Sequence, residues 1–149
     1  MNQEVVAEVK NFLINQHLGV LSTHSLSVDG YPFGSLTPFA VDKLNRPIIL
    51  ISSLAEHTKN IKANSKVSLT IIENSDKANK QALARLSIMA DARPVSGPDV
   101  SETYFKQFPE ARNYFDTHDF SFYALEPVRL RYIAGFGKIY WIGPKDLES

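Results

Sequence analysis

Strand-like segments follow one another along most of this chain, and most connections between them are too short to hold a helix. Apolar and polar residues alternate over 66–72, with Val67, Leu69 and Ile71 on one side. They alternate again over 84–95, with Leu86, Ile88 and Ala90 on one side. Residues 48–52 are apolar on both faces, which predicts a central strand. Asp29-Gly30 lies between two strand-like runs and signals a hairpin, and residues 42–47 form a second turn signal. Three more strand candidates, 120–125, 129–134 and 138–142, close the chain, with a Gly135-Phe136-Gly137 corner between the last two. Roughly six or seven strands without regular helix alternation exclude a doubly wound parallel sheet and predict a mainly β fold, an antiparallel β-barrel with flanking helices.

The helices are few. Residues 2–16 place Val5, Val6, Val9, Phe12 and Leu13 on one face, with Asn2 as the cap and Gly19 as the stop. A short helix is predicted over 53–64, with Leu54, Thr58 and Ile61 at helical spacing. Residues 98–108 open with proline and acids and end at Pro109, and 110–115 add a further helical turn. The intervening polar stretch 73–81 reads as a loop. With 149 residues, 44% of them hydrophobic, and no linker or repeat, the expectation is one domain over 1–149 with its amino-terminal helix in 1–17.

Sixteen basic and sixteen acidic residues cancel, so no overall field draws the chain to nucleic acid or to an anionic membrane. Cysteine is absent, which excludes disulfides, thiol catalysis and cysteine-ligated metal, and fits a reducing compartment. No apolar run is long enough for a bilayer, and the first residues carry Glu4 and Glu8 with no leader-type stretch. A cytoplasmic protein without membrane or nucleic-acid partners is expected.

Chemistry concentrates in two stretches. Ser52, Ser53, His57, Thr58, Lys59 and Asn60 gather where a buried strand ends and a helix begins. Hydroxyls, an imidazole, an ammonium and free backbone N–H groups together can hold a phosphate dianion. The plainer alternative is that Ser53 only caps the helix, while His57, Lys59 and Asn60 form a solvated face. The second stretch holds Ser35, Leu36, Thr37 and Pro38. Pro32 and Pro38 make it an edge or bulged strand, whose unpaired backbone groups suit a flat ligand or simply face solvent.

Arg85 shares a strand face with Arg93, and Arg129 shares one with Arg131, either as solvent charges or against a phosphate or a subunit partner. The aromatics Phe105, Phe108, Tyr114, Phe115, Phe120, Phe122 and Tyr123 suggest core or a dimer interface, and Trp141 either covers a ring system or packs. His17, His24, His57 and His118 show no zinc spacing, so no metal site is expected. Phosphate-loop, dinucleotide and nucleophile-elbow motifs are absent.

In chain order, Gly19-Val20-Leu21-Ser22-Thr23, Gly30-Tyr31-Pro32-Phe33-Gly34-Ser35 and the block from Ile51 to Ile61 resemble the pyridoxamine 5′-phosphate oxidase-like family of FMN-binding split barrels. Lys66-Val67-Ser68-Leu69, Ala84-Arg85-Leu86-Ser87 and Gly135-Phe136-Gly137-Lys138-Ile139-Tyr140-Trp141-Ile142 continue the match. The nearer branch resembles the amino-terminal domain of HugZ-type haem-utilisation proteins.

The resemblance implies a homodimer with FMN in the groove between two barrels. Ser35, Leu36, Thr37 and Pro38 then line the isoalloxazine, with Ser52 and Ser53 at the end of the next strand. His57, Thr58, Lys59 and Asn60 hold the phosphate and ribityl chain. Arg85 reaches the flavin from the partner subunit, and Trp141 approaches the ring. The implied function is an FMN flavoprotein, an oxidoreductase on a small molecule that the sequence does not identify.

The alternatives are a haem-binding protein with His24 or His118 as axial ligand, and a non-enzymatic split-barrel module without a cofactor. The ending 143–149 lacks the Arg-Leu-x-Pro-like tail of the oxidases, which argues against vitamin B6 phosphates as substrates. The further domain that supplies the haem-ligating histidine in haem-degrading relatives is expected to be absent.

Overall fold

The computed structural model describes residues 1–116, 119–135 and 137–148. Eight strands form one antiparallel sheet: β1 (Leu18–His24), β2 (Pro32–Pro38), β3 (Ala40–Val41), β4 (Pro47–Ser52), β5 (Lys66–Ile72), β6 (Arg85–Val95), β7 (Phe120–Ile133) and β8 (Ile139–Ile142). The order is β2-β1-β5-β6-β7-β4-β3, with β8 on β7. The two edge strands, β2 and β3, are joined through Phe39 alone, so the sheet curls round until its edges meet. This is the expected mainly β split barrel with flanking helices: α1 (Gln3–Asn15), α2 (Glu56–Ala63), α3 (Pro98–Gln107) and the single turn α4 (Arg112–Phe115). Among the described residues, no helix is long and apolar enough to cross a membrane.

Two apolar interiors explain the sequence pattern. Inside the barrel, Leu21, Leu69, Ile71, Leu86, Ile88, Leu125 and Leu130 pack with Val5, Val9 and Leu13 of α1 and Ile61 of α2. Asn2 caps α1, its side chain accepting from the Glu4 N–H at 2.8 Å. Outside the barrel, α3 and α4 cover β4 and the first half of β7 with Tyr104, Phe105 and Ala111 against Ile48, Leu50 and Phe122. β4 is apolar on both faces because Ile49 and Ile51 point into the barrel while Ile48 and Leu50 point to the helices. Within the chain, Phe105 and Phe122 of the aromatic group anchor the outer interior and Tyr123 faces the barrel, while Phe108, Tyr114, Phe115 and Phe120 are partly buried against the outer interior.

Three local expectations are corrected. Gly19 does not stop α1, which ends at Asn15. It lies within β1, where a Cβ would come within 2.8 Å of Leu69 Cδ1 and 3.1 Å of the Thr70 carbonyl oxygen. The cap of α2 is Ala55 rather than Ser53, and it makes no side-chain capping bond. The segments 120–125 and 129–134 are one continuous strand, β7, which passes through Pro127. Proline cannot donate to the ladder. The β6–β7 register shifts between Met89 and Ala90, which pair with Arg129 and Pro127, leaving Val128 as the extra residue. Phe136 of the predicted Gly-Phe-Gly corner lies outside the described residues.

Candidate functional site

The residues singled out in the sequence divide between two places. Side chains alternate across a strand, so the odd and even positions of β2 part company. Ser35 and Thr37 turn toward α2 and the barrel, whereas Leu36 turns outward and is 66% exposed. Pro32 and Pro38 close the two ends of β2, an edge strand as predicted.

On the inner side, Ser35 Oγ and His57 Nδ1 share a hydrogen bond of 3.0 Å. The other ring nitrogen, Nε2, is buried without a hydrogen-bond partner among the described residues. Thr58 is buried and its hydroxyl donates to the Ser52 carbonyl at 2.6 Å. Asn60 is fully buried: its Oδ1 accepts from the Leu26 N–H, and its Nδ2 donates to Thr23 Oγ1, each at 3.0 Å. The Ser52 hydroxyl oxygen accepts from the Leu54 N–H at 3.1 Å, and the Ser53 N–H donates to the Asp119 carbonyl at 2.8 Å. Thr37 is buried and its hydroxyl donates to the Pro38 carbonyl at 3.2 Å. Only Lys59 of the 57–60 group is exposed. The polar groups at the start of α2 thus dock the helix onto β1, β2 and the end of β4.

Burial holds the His57 imidazole below its ordinary pKa. The unfolded chain therefore takes up this proton first as pH falls, and stability declines from about pH 6.5 downward. Replacing His57 with Gln should flatten the pH dependence of the thermal midpoint between about pH 6.5 and pH 5. Identical slopes in the two proteins would exclude His57 as the group responsible.

The outward positions of neighbouring strands stand side by side. Val20 lies between Leu36 of β2 and Thr70 of β5, and Ser22 lies between Gly34 and Ser68. Farther along, Arg85 and Ser87 of β6 stand beside Ile133 and Arg131 of β7. Trp141 on β8 carries the guanidinium groups of Arg129 and Arg131, 4.5 and 4.8 Å from its ring centroid. Arg85 donates to the Gln81 carbonyl at 3.2 Å. Within one chain, β1 and β5 separate Leu36 from Arg85.

The sequence reading missed one feature of this face. A cleft of about 740 Å³ opens where β1, β2 and β5 meet the ends of α1 and α3. Its lining includes His17, Leu18, Val20, Leu36, Ile72 and Phe108. Leu18 and Ile72 are each 50% exposed. The available signal was the presence of Leu18, Leu36 and Ile72, large apolar residues, on the strand faces turned away from the barrel interior. His24 stands in a different hollow, beside Lys66, Asp91 and Met89. His118 lies outside the described residues.

The chain matches the family model described as "CREG, beta-barrel" over residues 2–148. It is 40% identical over 133 residues to the non-canonical haem oxygenase HOZ, chloroplastic, of Arabidopsis thaliana, covering 87% of this chain and 40% of that protein. It is 28% identical over 148 residues to the haem oxygenase HutZ of Vibrio cholerae, covering 94% of this chain and 82% of HutZ. The solved HutZ structure, described as the haem storage protein, superposes with a TM-score of 0.69 at 26% identity, covering 81% of this chain and 88% of that one. A Clostridium acetobutylicum protein of the pyridoxine phosphate oxidase family shares the fold, with a TM-score of 0.71 at 13% identity over 99% of both chains.

These relatives overturn the FMN oxidoreductase reading. The likeness to the oxidase family is one of fold, and a fold carries many chemistries. The names attached to the relatives that share substantial sequence are haem names. Within the 52–60 motif that suggested a phosphate site, Thr58 and Asn60 bond within the fold and dock the helix.

Proposed function

The chain belongs to the CREG β-barrel family, and from that premise we propose that it is a haem-binding protein of the HutZ type, working as a pair of identical barrels. The observation that carries the reading is sequence identity with HutZ of 28%, extending over 82% of HutZ's length. The 40% identity to HOZ supports it, over a chain that spans 40% of that relative's length.

The residues present fit the group. Haem asks for a mostly apolar cleft and a nitrogen or sulfur donor. The outer cleft offers mostly apolar walls that also carry the Glu73 carboxylate, a histidine in its lining and a volume within the roughly 300–1,000 Å³ usual for cofactor sites. Bound haem supplies a redox-active iron, while the chain supplies burial, orientation and a donor atom. Pairing would cover the outward face of β2, β1 and β5, where Leu18, Leu36 and Ile72 are half or more exposed. It would also bring Arg85 and Trp141 of one barrel toward Leu36 of the other.

The test is a titration of the purified protein with haemin, read by absorbance, together with sedimentation. The expected outcome is a saturable, shifted Soret band on a particle of twice the chain mass. A spectrum that stays that of free haemin at every protein concentration overturns haem binding, and a monomer overturns the pairing.

A further inference from the structure

We propose that Arg129 and Arg131, stacked on Trp141, form a clamp for a doubly charged anionic group, either a phosphoryl group or a pair of carboxylates. The clamp does not depend on the haem-binding reading above. Both guanidinium carbons lie over one indole ring, 4.5 and 4.8 Å from its centroid. The two positive charges are therefore held within about 10 Å of each other, the screening length near 0.1 M salt. Among the described residues, neither guanidinium makes an ion pair or a hydrogen bond. The carboxylate farther along β6, that of Asp91, lies 4.0 Å from Arg93 instead. Like charges gathered without a counter-charge repel, and a dianion between them relieves that repulsion.

The sheet register builds the rest of the clamp. Residues directly opposite on neighbouring strands share a face. Ser87 of β6, Arg131 of β7 and Trp141 of β8 therefore form one row across the sheet. Arg85 lies on the same face of β6, two residues before Ser87. The Ser87 hydroxyl makes no hydrogen bond among the described residues, so it can donate to a bound oxygen. Arg85 adds a third positive charge, and one of its N–H groups already donates to the Gln81 carbonyl at 3.2 Å. Stacking on an indole orients a guanidinium through its flat face and leaves its N–H edges free. That planar fork matches two oxygens of a phosphoryl group or a carboxylate. Trp141 is 44% exposed, so an anion reaches the row from solvent.

Trp141 is the single tryptophan of the chain, so its fluorescence reports on the clamp directly. Inorganic phosphate, pyrophosphate and glutarate are titrated into the purified protein, with ionic strength held constant by sodium chloride. Wild type should show a saturable change in emission. Arg129→Gln and Arg131→Gln should each weaken the anion about tenfold, the scale of one lost charge-assisted hydrogen bond, and the double variant should not respond. Arg131→Lys should recover only part of the affinity, because it keeps the charge and loses the fork. Haemin is then compared with haemin dimethyl ester, whose two carboxylates are blocked, by Soret absorbance. Haemin binding more tightly than the ester in wild type, but not in the double variant, identifies haem carboxylates as the source of the anion. A phosphate response with haemin and ester bound alike identifies a phosphorylated molecule. Emission that answers only to ionic strength, with haemin and ester bound alike, overturns the clamp while leaving haem binding intact. An anion response that survives in the double variant overturns it too. So does a wild-type dimer without an anion response whose double variant sediments as a monomer, because the arginines then meet a second copy. Wild type that binds neither haemin nor its ester overturns the functional reading, and the phosphate titration then decides the clamp alone. Should Arg131→Gln prove unfolded by circular dichroism, Arg129→Gln decides.

Discussion

Replacing Phe122 with Ala should remove about 3–5 kcal/mol of folding stability, the usual cost of deleting a buried aromatic ring and leaving its cavity. Phe122 is 4% exposed and lies at the centre of the outer interior. Its ring centroid is 5.5 Å from that of Tyr104, 5.7 Å from Phe105 and 5.2 Å from Phe115. Those three rings come from α3 and α4, so truncation loosens the whole flank. A typical domain has only about 5–15 kcal/mol in total, and a midpoint fall of roughly 10 °C is expected for this chain length. Urea unfolding followed by circular dichroism measures the loss. A change below about 1 kcal/mol would mean that the helical flank does not unfold with the barrel. Phe122→Leu should cost much less, because most of the volume is kept.

The second large effect is expected at Asn60. Its side chain joins α2 to the Leu26 backbone and to Thr23 in β1, and none of it reaches water. Asn60→Ala leaves the Leu26 N–H without its acceptor and the Thr23 hydroxyl without its donor. An unpaired buried polar group costs about 1–3 kcal/mol, and since Leu26 is exposed while Thr23 is buried, a loss of about 1–3 kcal/mol is expected, carried mainly by the Thr23 hydroxyl. The hydroxyl's contribution is separable, because Thr23→Val removes that group altogether. The double variant should therefore lose less than the sum of the single losses, a positive coupling measurable in a double-mutant cycle. Strict additivity would mean that Asn60 and Thr23 do not act together.

Much of the architecture could be read in the residue pattern. Alternation located β5 and β6, helical spacing located α1, and a short run apolar on both faces located β4 between two interiors. Other features depended on distant partners. Pro127 reads as a break because proline ends a regular ladder, yet the shifted register opposite Met89 and Ala90 carries the strand through it. Gly19 reads as a helix stop, whereas its lack of a side chain matters against Leu69, a residue far along the chain.

The candidate site was harder. A histidine or hydroxyl in a short motif looks alike whether it faces a ligand or a neighbouring strand. Asn60 and Thr58 turned out to face the fold. The outer cleft carried no motif, and it exists only because β2, β1 and β5 lie side by side beneath the end of α3.

β7 pairs with β4 and β6 over its first half and with β6 and β8 over its second. Phe122 and Ala124 enter one interior while Tyr123 and Leu125 enter the other. The two interiors consequently share a wall and cannot be divided into independent pieces. A fragment cut just before this strand would present two raw ladders at once, those of β4 and β6, as templates for other chains. Whatever is engineered on the helical flank is transmitted by this one strand to the barrel, because the same peptide groups serve both.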